Sequence, residues 1–149
     1  MKIVRIVCLS LLLVVTAFAG DELFKGKGTI SAQGNGFIKL KGTGDVEISG
    51  DGVLWIVDCS IDENLEVQVQ GDGEKMQTPG FIWAYRGFNG SATISGGPMK
   101  VVLQGKDIDF TATGKGKLYL RGVGTYQRGD QINEWSELGE EITIKEVEK

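Results

Sequence analysis

Four times in succession from Gly26, the chain opens an eight-residue unit with Gly-x-Gly: GKGTISAQ, GNGFIKLK, GTGDVEIS and GDGVLWIV. After its glycines each unit alternates, and the fifth and seventh positions are Ile30 and Ala32, Ile38 and Leu40, Val46 and Ile48, Leu54 and Ile56. Period-two alternation places each pair on one face of an extended strand, because successive side chains point to opposite sides. Glycine supplies the positive φ that a sharp reversal needs. The units therefore read as short strands joined by tight turns. Pairing them as hairpins would set Lys39 and Lys41 beside Glu47 and Ser49.

A second series starts at Gly90. Gly26 maps onto Gly90, Gly50 onto Gly114 and Asp58 onto Gly122, in each case eight units further along. Leu54-Trp55-Ile56 then corresponds to Leu118-Tyr119-Leu120, which points to an internal duplication relating 26–57 to 90–126. The middle of the second series is less regular, with a nine-residue unit opening at Gly105. Further strands are expected at Leu65–Val69, Phe81–Tyr85 and Glu141–Val147, and no amphipathic helix is apparent after residue 19. Some ten short strands point to an all-β domain of antiparallel strands, in a sandwich or partly closed barrel. A parallel β-solenoid with two or three units per coil is the alternative.

The amino terminus has its own pattern. Lys2 and Arg5 precede an apolar run from Ile6 to Val15, and Ala17-Phe18-Ala19 follows, the three parts of a cleavable secretory signal ending before Gly20. The expected organisation is a signal at 1–19 and a single β domain at 20–149. The expected address is secreted or extracytoplasmic, with association to the cell surface. Removing Lys2 and Arg5 takes the formal net charge from -4 to -6. That argues against a nucleic-acid partner, which requires clustered positive charge. Acids and lysines are interspersed along the chain, and this is expected to give a mixed surface. Cys59 is then the only thiol, so no internal disulfide can form, and it is expected as a small buried hydrophobe.

The chain contains no histidine. A Ser-His-Asp triad, a Cys-His pair and a histidine-bearing catalytic zinc site are excluded. What remains is a pair of carboxylates of the glycosidase type, drawn from acids such as Asp45, Glu47, Asp51, Asp58, Asp62, Glu63, Asp107 and Asp109. Acids on turns and solvated strands are routine, so no catalytic residue is assigned and no enzyme is expected. Acids beside turn glycines at Asp45, Asp51, Asp72 and Asp130 raise structural calcium. However, a calcium site takes six to eight oxygen ligands, and the nonapeptide of calcium-binding β-rolls is missing. No cofactor or metal is expected, with structural calcium as the weaker alternative.

The aromatics are the binding or interface candidates. Trp55 and Tyr119 fall opposite the repeated aliphatic positions, hence on the outer face, where they could stack on a sugar or anchor an interface. Trp83, Tyr85, Tyr126 and Trp135 complete the set. Asn89-Gly90-Ser91 fits the N-glycosylation acceptor pattern and equally an Asn-Gly turn. The chain as a whole reads as a noncatalytic secreted or cell-surface structural or adhesive β protein. Self-association or a place in the cell envelope fits its sheet edges. The alternative is a carbohydrate-binding module with an aromatic platform, and a carboxylate-dependent glycoside hydrolase ranks third. Residues 70–90 and 123–140 are the expected positions for a ligand site.

Overall fold

The computed structural model describes residues 28–144. The signal segment, Cys8, Gly26 and Val147 lie outside them. Five strands follow in order: β1 (Gly28–Asp58), β2 (Glu66–Lys75), β3 (Ile82–Arg128), β4 (Gln131–Glu134) and β5 (Glu140–Ile144). Every pairing is antiparallel, with β3 joined to β1, β2, β4 and β5. The chain is all-β, as the alternation implies, and the sheet is sandwich-like rather than closed into a barrel. The parallel solenoid is excluded by the register.

The eight-residue units do not pair as hairpins. They run on through their glycines as parts of two very long strands, 31 and 47 residues in β1 and β3. The register shows how these fit in a small domain. Phe110 pairs with both Ala32 and Ile48, Leu103 with both Ile38 and Leu54, and Thr111 with both Ser31 and Glu47. In each case the two partners on β1 are separated by two full units. A strand can flank the same residue twice only if it has travelled round and returned, two strand spacings further on, or about 9.6 Å. One circuit is therefore two units, and the sheet folds into two layers with a corner at each Gly-x-Gly.

Units alternate between the layers. The first layer holds residues 28–33, 44–49, 91–95 and 108–113, and the second holds 37–41, 53–57, 99–104 and 117–121. The alternating aliphatic positions of both layers point inward into one core, where Ile30, Ile38, Leu54, Ile94, Leu103, Phe110, Leu118 and Leu120 are fully enclosed. Each such side chain contributes about 1.5–3 kcal/mol through removal from water. Successive units being on opposite layers, Lys39 and Lys41 do not meet Glu47 and Ser49. They lie beside Val102, Tyr119, Lys100 and Lys117. Positions related by the eight-unit offset, such as Trp55 and Tyr119, fall on the same layer, joined through Val102 and Lys39 in one cross-strand row.

The glycines do more than permit a bend. At the corners one Gly-x-Gly crosses another: Gly34 and Gly36 meet Gly124 and Gly122, and Gly42 and Gly44 meet Gly116 and Gly114. A Cβ added to Gly44 would fall 2.1 Å from the Thr113 carbonyl oxygen, and one on Gly114 would fall 2.0 Å from that of Thr43. Such an approach admits no side chain. The nine-residue unit also has a place here. Its extra residue bulges at the corner, where Asp107 takes φ 54° and its N–H donates to Asn35 Oδ1 at 2.8 Å.

Asp58 closes β1 and organises the loop beyond it. Its Oδ1 accepts from the Ser60 N–H at 2.9 Å and from the Ser60 hydroxyl, and its Oδ2 accepts from the Leu65 N–H at 3.3 Å. The Ser60 hydroxyl bond holds the carboxyl below its ordinary 3.8, against the opposing effect of burial, with the two backbone donors helping. A lowered folded-state pKa stabilises the protein above the unfolded value, and that stabilisation is lost as pH falls through the folded one. Asp58→Asn is therefore expected to cost about 1–2 kcal/mol at pH 7. The gap from wild type should narrow below about pH 3.8, as followed by urea titrations across pH 2–7.

Candidate interaction surfaces

The outward positions of the two layers form regular grids, with neighbours about 4.8 Å apart across strands and about 6.8 Å apart along them. On the first layer the rows read Thr29–Thr113–Asp45–Ser95–Glu66, Gln127–Ser31–Thr111–Glu47–Thr93–Gln68 and Thr125–Gln33–Asp109–Ser49–Ser91–Gln70. These rows contain four carboxylates and no cation. Hydroxyls fill most of the rest: Ser95 donates to Asp45 at 2.7 Å, and Thr29 and Thr113 share a hydrogen bond of 3.2 Å.

The outside of the second layer is of the opposite kind. Its rows read Lys117–Lys41–Lys100–Val57–Ile82, Tyr119–Lys39–Val102–Trp55–Ala84 and Arg121–Phe37–Gln104–Val53. Five cations share this face, and at its edge Glu141 pairs with Lys117 at 3.5 Å. The mixed surface expected from the linear sequence is thus not what the fold makes. Because alternate units change layers, acids at outward positions of one unit and lysines at those of the next sort onto opposite sides.

Three lysines stand directly side by side in one row. Like charges opposed across strands are destabilising, so Lys117–Lys41–Lys100 is a local cost, offset among the described residues by one exposed pair with Glu141. Lys41→Thr is expected to raise stability by about 0.2–1 kcal/mol at low salt. The gain should fade in 1 M salt, where the screening length is about 3 Å; paired thermal melts would measure it.

The aromatic candidates divide sharply. Trp55 is outward and 39% exposed. Tyr119 shares its row but is engaged on several sides: edge-on to Phe37 at 5.9 Å, under the Lys39 ammonium at 5.6 Å, and with its hydroxyl against Gly139. Arg121 lies over Phe37 at 5.4 Å. Trp83 and Tyr85 pair with Ile56 and Leu54, and so turn inward to pack against the core. Tyr126 and Trp135 are buried, with the Trp135 indole N–H donating to the Thr125 carbonyl at 2.9 Å. Burial, then the Glu140 charge, raises the Tyr126 phenol above its ordinary value. The row across the second layer thus leaves one free aromatic surface, Trp55.

Asn89 is exposed at a corner, paired to Asp51 and Asp72. The chain continues through it as strand, so Asn89-Gly90 is not a hairpin turn. Cys59 is exposed just beyond β1, contrary to its expected burial, because the chain leaves the inward-outward grid at Asp58.

Concavities are shallow. One of about 440 Å³ sits on the acidic face among Glu47, Ser49, Ser91, Thr93, Asp109 and Thr111. Another of about 320 Å³ lies beneath residues 75–83, and a third of about 460 Å³ adjoins residues 122–137. Glu47 and Asp109 are both exposed to water. Among the described residues no cluster of acids or thiols is arranged to hold a metal ion. No protein-family model matches the chain, nor does any curated protein or solved structure.

The five clustered cations are what reading the sequence by composition missed. A signal for them was present: outward positions of every second unit, taken together, give Phe37, Lys39 and Lys41 with Val53, Trp55 and Val57. Seeing it requires knowing that the circuit closes every second unit.

Proposed function

We propose that this is a noncatalytic structural or adhesive β protein of the cell exterior, acting through broad sheet faces rather than through a pocket. The observation that carries the reading is the second layer's outer face. Lys39, Lys41, Lys100, Lys117 and Arg121 share that face with Trp55, and the directly opposed row Lys117–Lys41–Lys100 within it opposes the chain's own stability and suits an anionic partner. Sites that violate local pairing rules without an internal gain are where function is to be sought. The signal-like segment at 1–19 supports export.

The test is retention of the purified protein on beads of an acidic polysaccharide, alginate, against neutral dextran. Retention on alginate at 50 mM salt, weakened at least tenfold by Lys41→Glu/Lys100→Glu, is the expected result. Equal retention of wild type and variant on both matrices would overturn the reading.

A second reading, a carbohydrate-binding module, is favoured by Trp55 alone. It calls for retention on dextran or another neutral glycan that Trp55→Ala abolishes and the lysine variant keeps. Tyr119, held by Phe37, Lys39 and Gly139, does not extend the platform.

A further inference from the structure

The two outer faces belong to one molecule, lie on opposite sides of a two-layer sheet, and are opposite in charge. We propose that copies of this chain stack head to tail, the acidic hydroxyl face of one on the basic face of the next. This rests on the reading above and names the partner as a second copy.

Three features favour it. The first is charge: Asp45, Glu47, Glu66 and Asp109 on one face answer Lys39, Lys41, Lys100, Lys117 and Arg121 on the other. Complementary fields steer association and fix orientation, and the same charges oppose the self-mated contacts, acid face on acid face or lysine face on lysine face. The second is spacing. Both faces are strand grids of the same pitch, so a charged row on one copy meets rows of matching interval on the next. The third is relief. The mouth of the acidic face is a depression of about 440 Å³ near its middle, while Trp55 stands exposed in the central row of the other face. An exposed Trp beside a cluster of cations is the residue type that anchors interfaces.

The contact is of limited size. Five to seven strands by about six residues give each face about 500–700 Å², against about 800 Å² per partner in a standard interface. Association is therefore weak per contact and sensitive to salt. Because the two surfaces are different and lie back to back, the contact is heterologous and does not close, so it propagates as an open stack.

Sedimentation velocity at 20 mM and 500 mM salt tests this. Wild type should form a concentration-dependent ladder of oligomers at low salt that dissolves at high salt. Lys39→Glu/Lys100→Glu removes the positive field of one face, and Glu47→Lys/Asp109→Lys removes the negative field of the other. Each variant alone should associate at least tenfold more weakly, and an equimolar mixture of the two should recover association through the one face that each keeps intact. All four sites are outward, and matching circular-dichroism melts confirm that each variant is folded. A wild type that stays monomeric at low salt, or a mixture that fails to recover while wild type associates, overturns the stacking. If the monomer is nevertheless retained on alginate through its lysines, stacking fails and adhesion stands. If neither association nor retention is seen, both fail.

Discussion

Gly114→Val is expected to lower the melting temperature by about 10–20 °C, or to prevent folding. Gly114 has φ 154°, and a Cβ there would fall 2.0 Å from the Thr43 carbonyl oxygen and 2.9 Å from Gly44 Cα. Both obstacles are backbone, locked in the ladder between β1 and β3, so neither can swing aside as a side chain would. Gly44 faces the same constraint in return, with φ 140° and the Thr113 oxygen at 2.1 Å. Separating the strands there opens the corner at which the sheet changes layers. The cost is about 3–5 kcal/mol, from backbone strain together with lost pairing. Two other glycines serve as controls. Gly80 has nothing within 4 Å of an added Cβ and no positive φ, so Gly80→Ala should be neutral or slightly stabilising through the unfolded chain. Gly129 also has open space but sits at φ 61°, so Gly129→Ala should cost only about 1 kcal/mol. Melts of the three variants separate steric corners from ordinary turns. A Gly114→Val protein that melts within a few degrees of wild type would contradict the crossed-glycine corner.

The strand content and the inward set were legible in the sequence because both depend on period two alone. Ile30, Ala32, Ile38, Leu40, Val46, Ile48, Leu54 and Ile56 are all buried, as alternation requires of any half-buried strand. The connectivity was less accessible. A Gly-x-Gly suits a hairpin turn and a layer-changing corner equally well when seen alone, since both need glycine's freedom. The two differ only in what lies across from it. At Gly44 that is Gly114, on the other long strand, and no local pattern announces the partnership. The outer faces followed the same rule. Trp55 and Tyr119 were placed outward by parity, and parity holds, but Tyr119 is occupied by Phe37, Lys39 and the turn at Gly139. Tyr126 and Trp135 sit near the end of β3, where the repeat gives out and the 131–140 segment folds back over the edge. Trp83 and Tyr85, two positions apart on one strand, share a face, and their pairing turns that face toward Ile56 and Leu54. The lysine cluster depends on the two-unit circuit, a property of the wound sheet and not of any single unit.

Phe110→Ala is expected to cost about 3–5 kcal/mol, comparable to the glycine variant but by an unrelated route. Phe110 is 1% exposed and sits in the first layer between Ala32 and Ile48 as its direct cross-strand partners. Ala112, two positions on, also faces inward, so two of the nearest side chains are methyl groups that cannot reach into the space a benzyl group leaves. Corner geometry fixes the separation of the layers, and the layers cannot collapse to fill it. The penalty should therefore include most of the cavity term as well as the lost transfer free energy. Phe110→Leu keeps much of the volume and should cost well under half as much. Phe81→Ala, at a site 45% exposed, should change stability by no more than about 0.5 kcal/mol. Urea unfolding of the three proteins orders them, and an equal loss for Phe110→Ala and Phe81→Ala would mean that the inward face is misplaced. The outer charges make a useful contrast in the same assay. Lys39→Glu/Lys100→Glu should leave the urea midpoint nearly unchanged or raised, because it removes cations from a crowded face without touching the core. A variant that alters association and not unfolding, set beside one that alters unfolding and leaves both outer faces intact, separates what the two sides of each strand contribute.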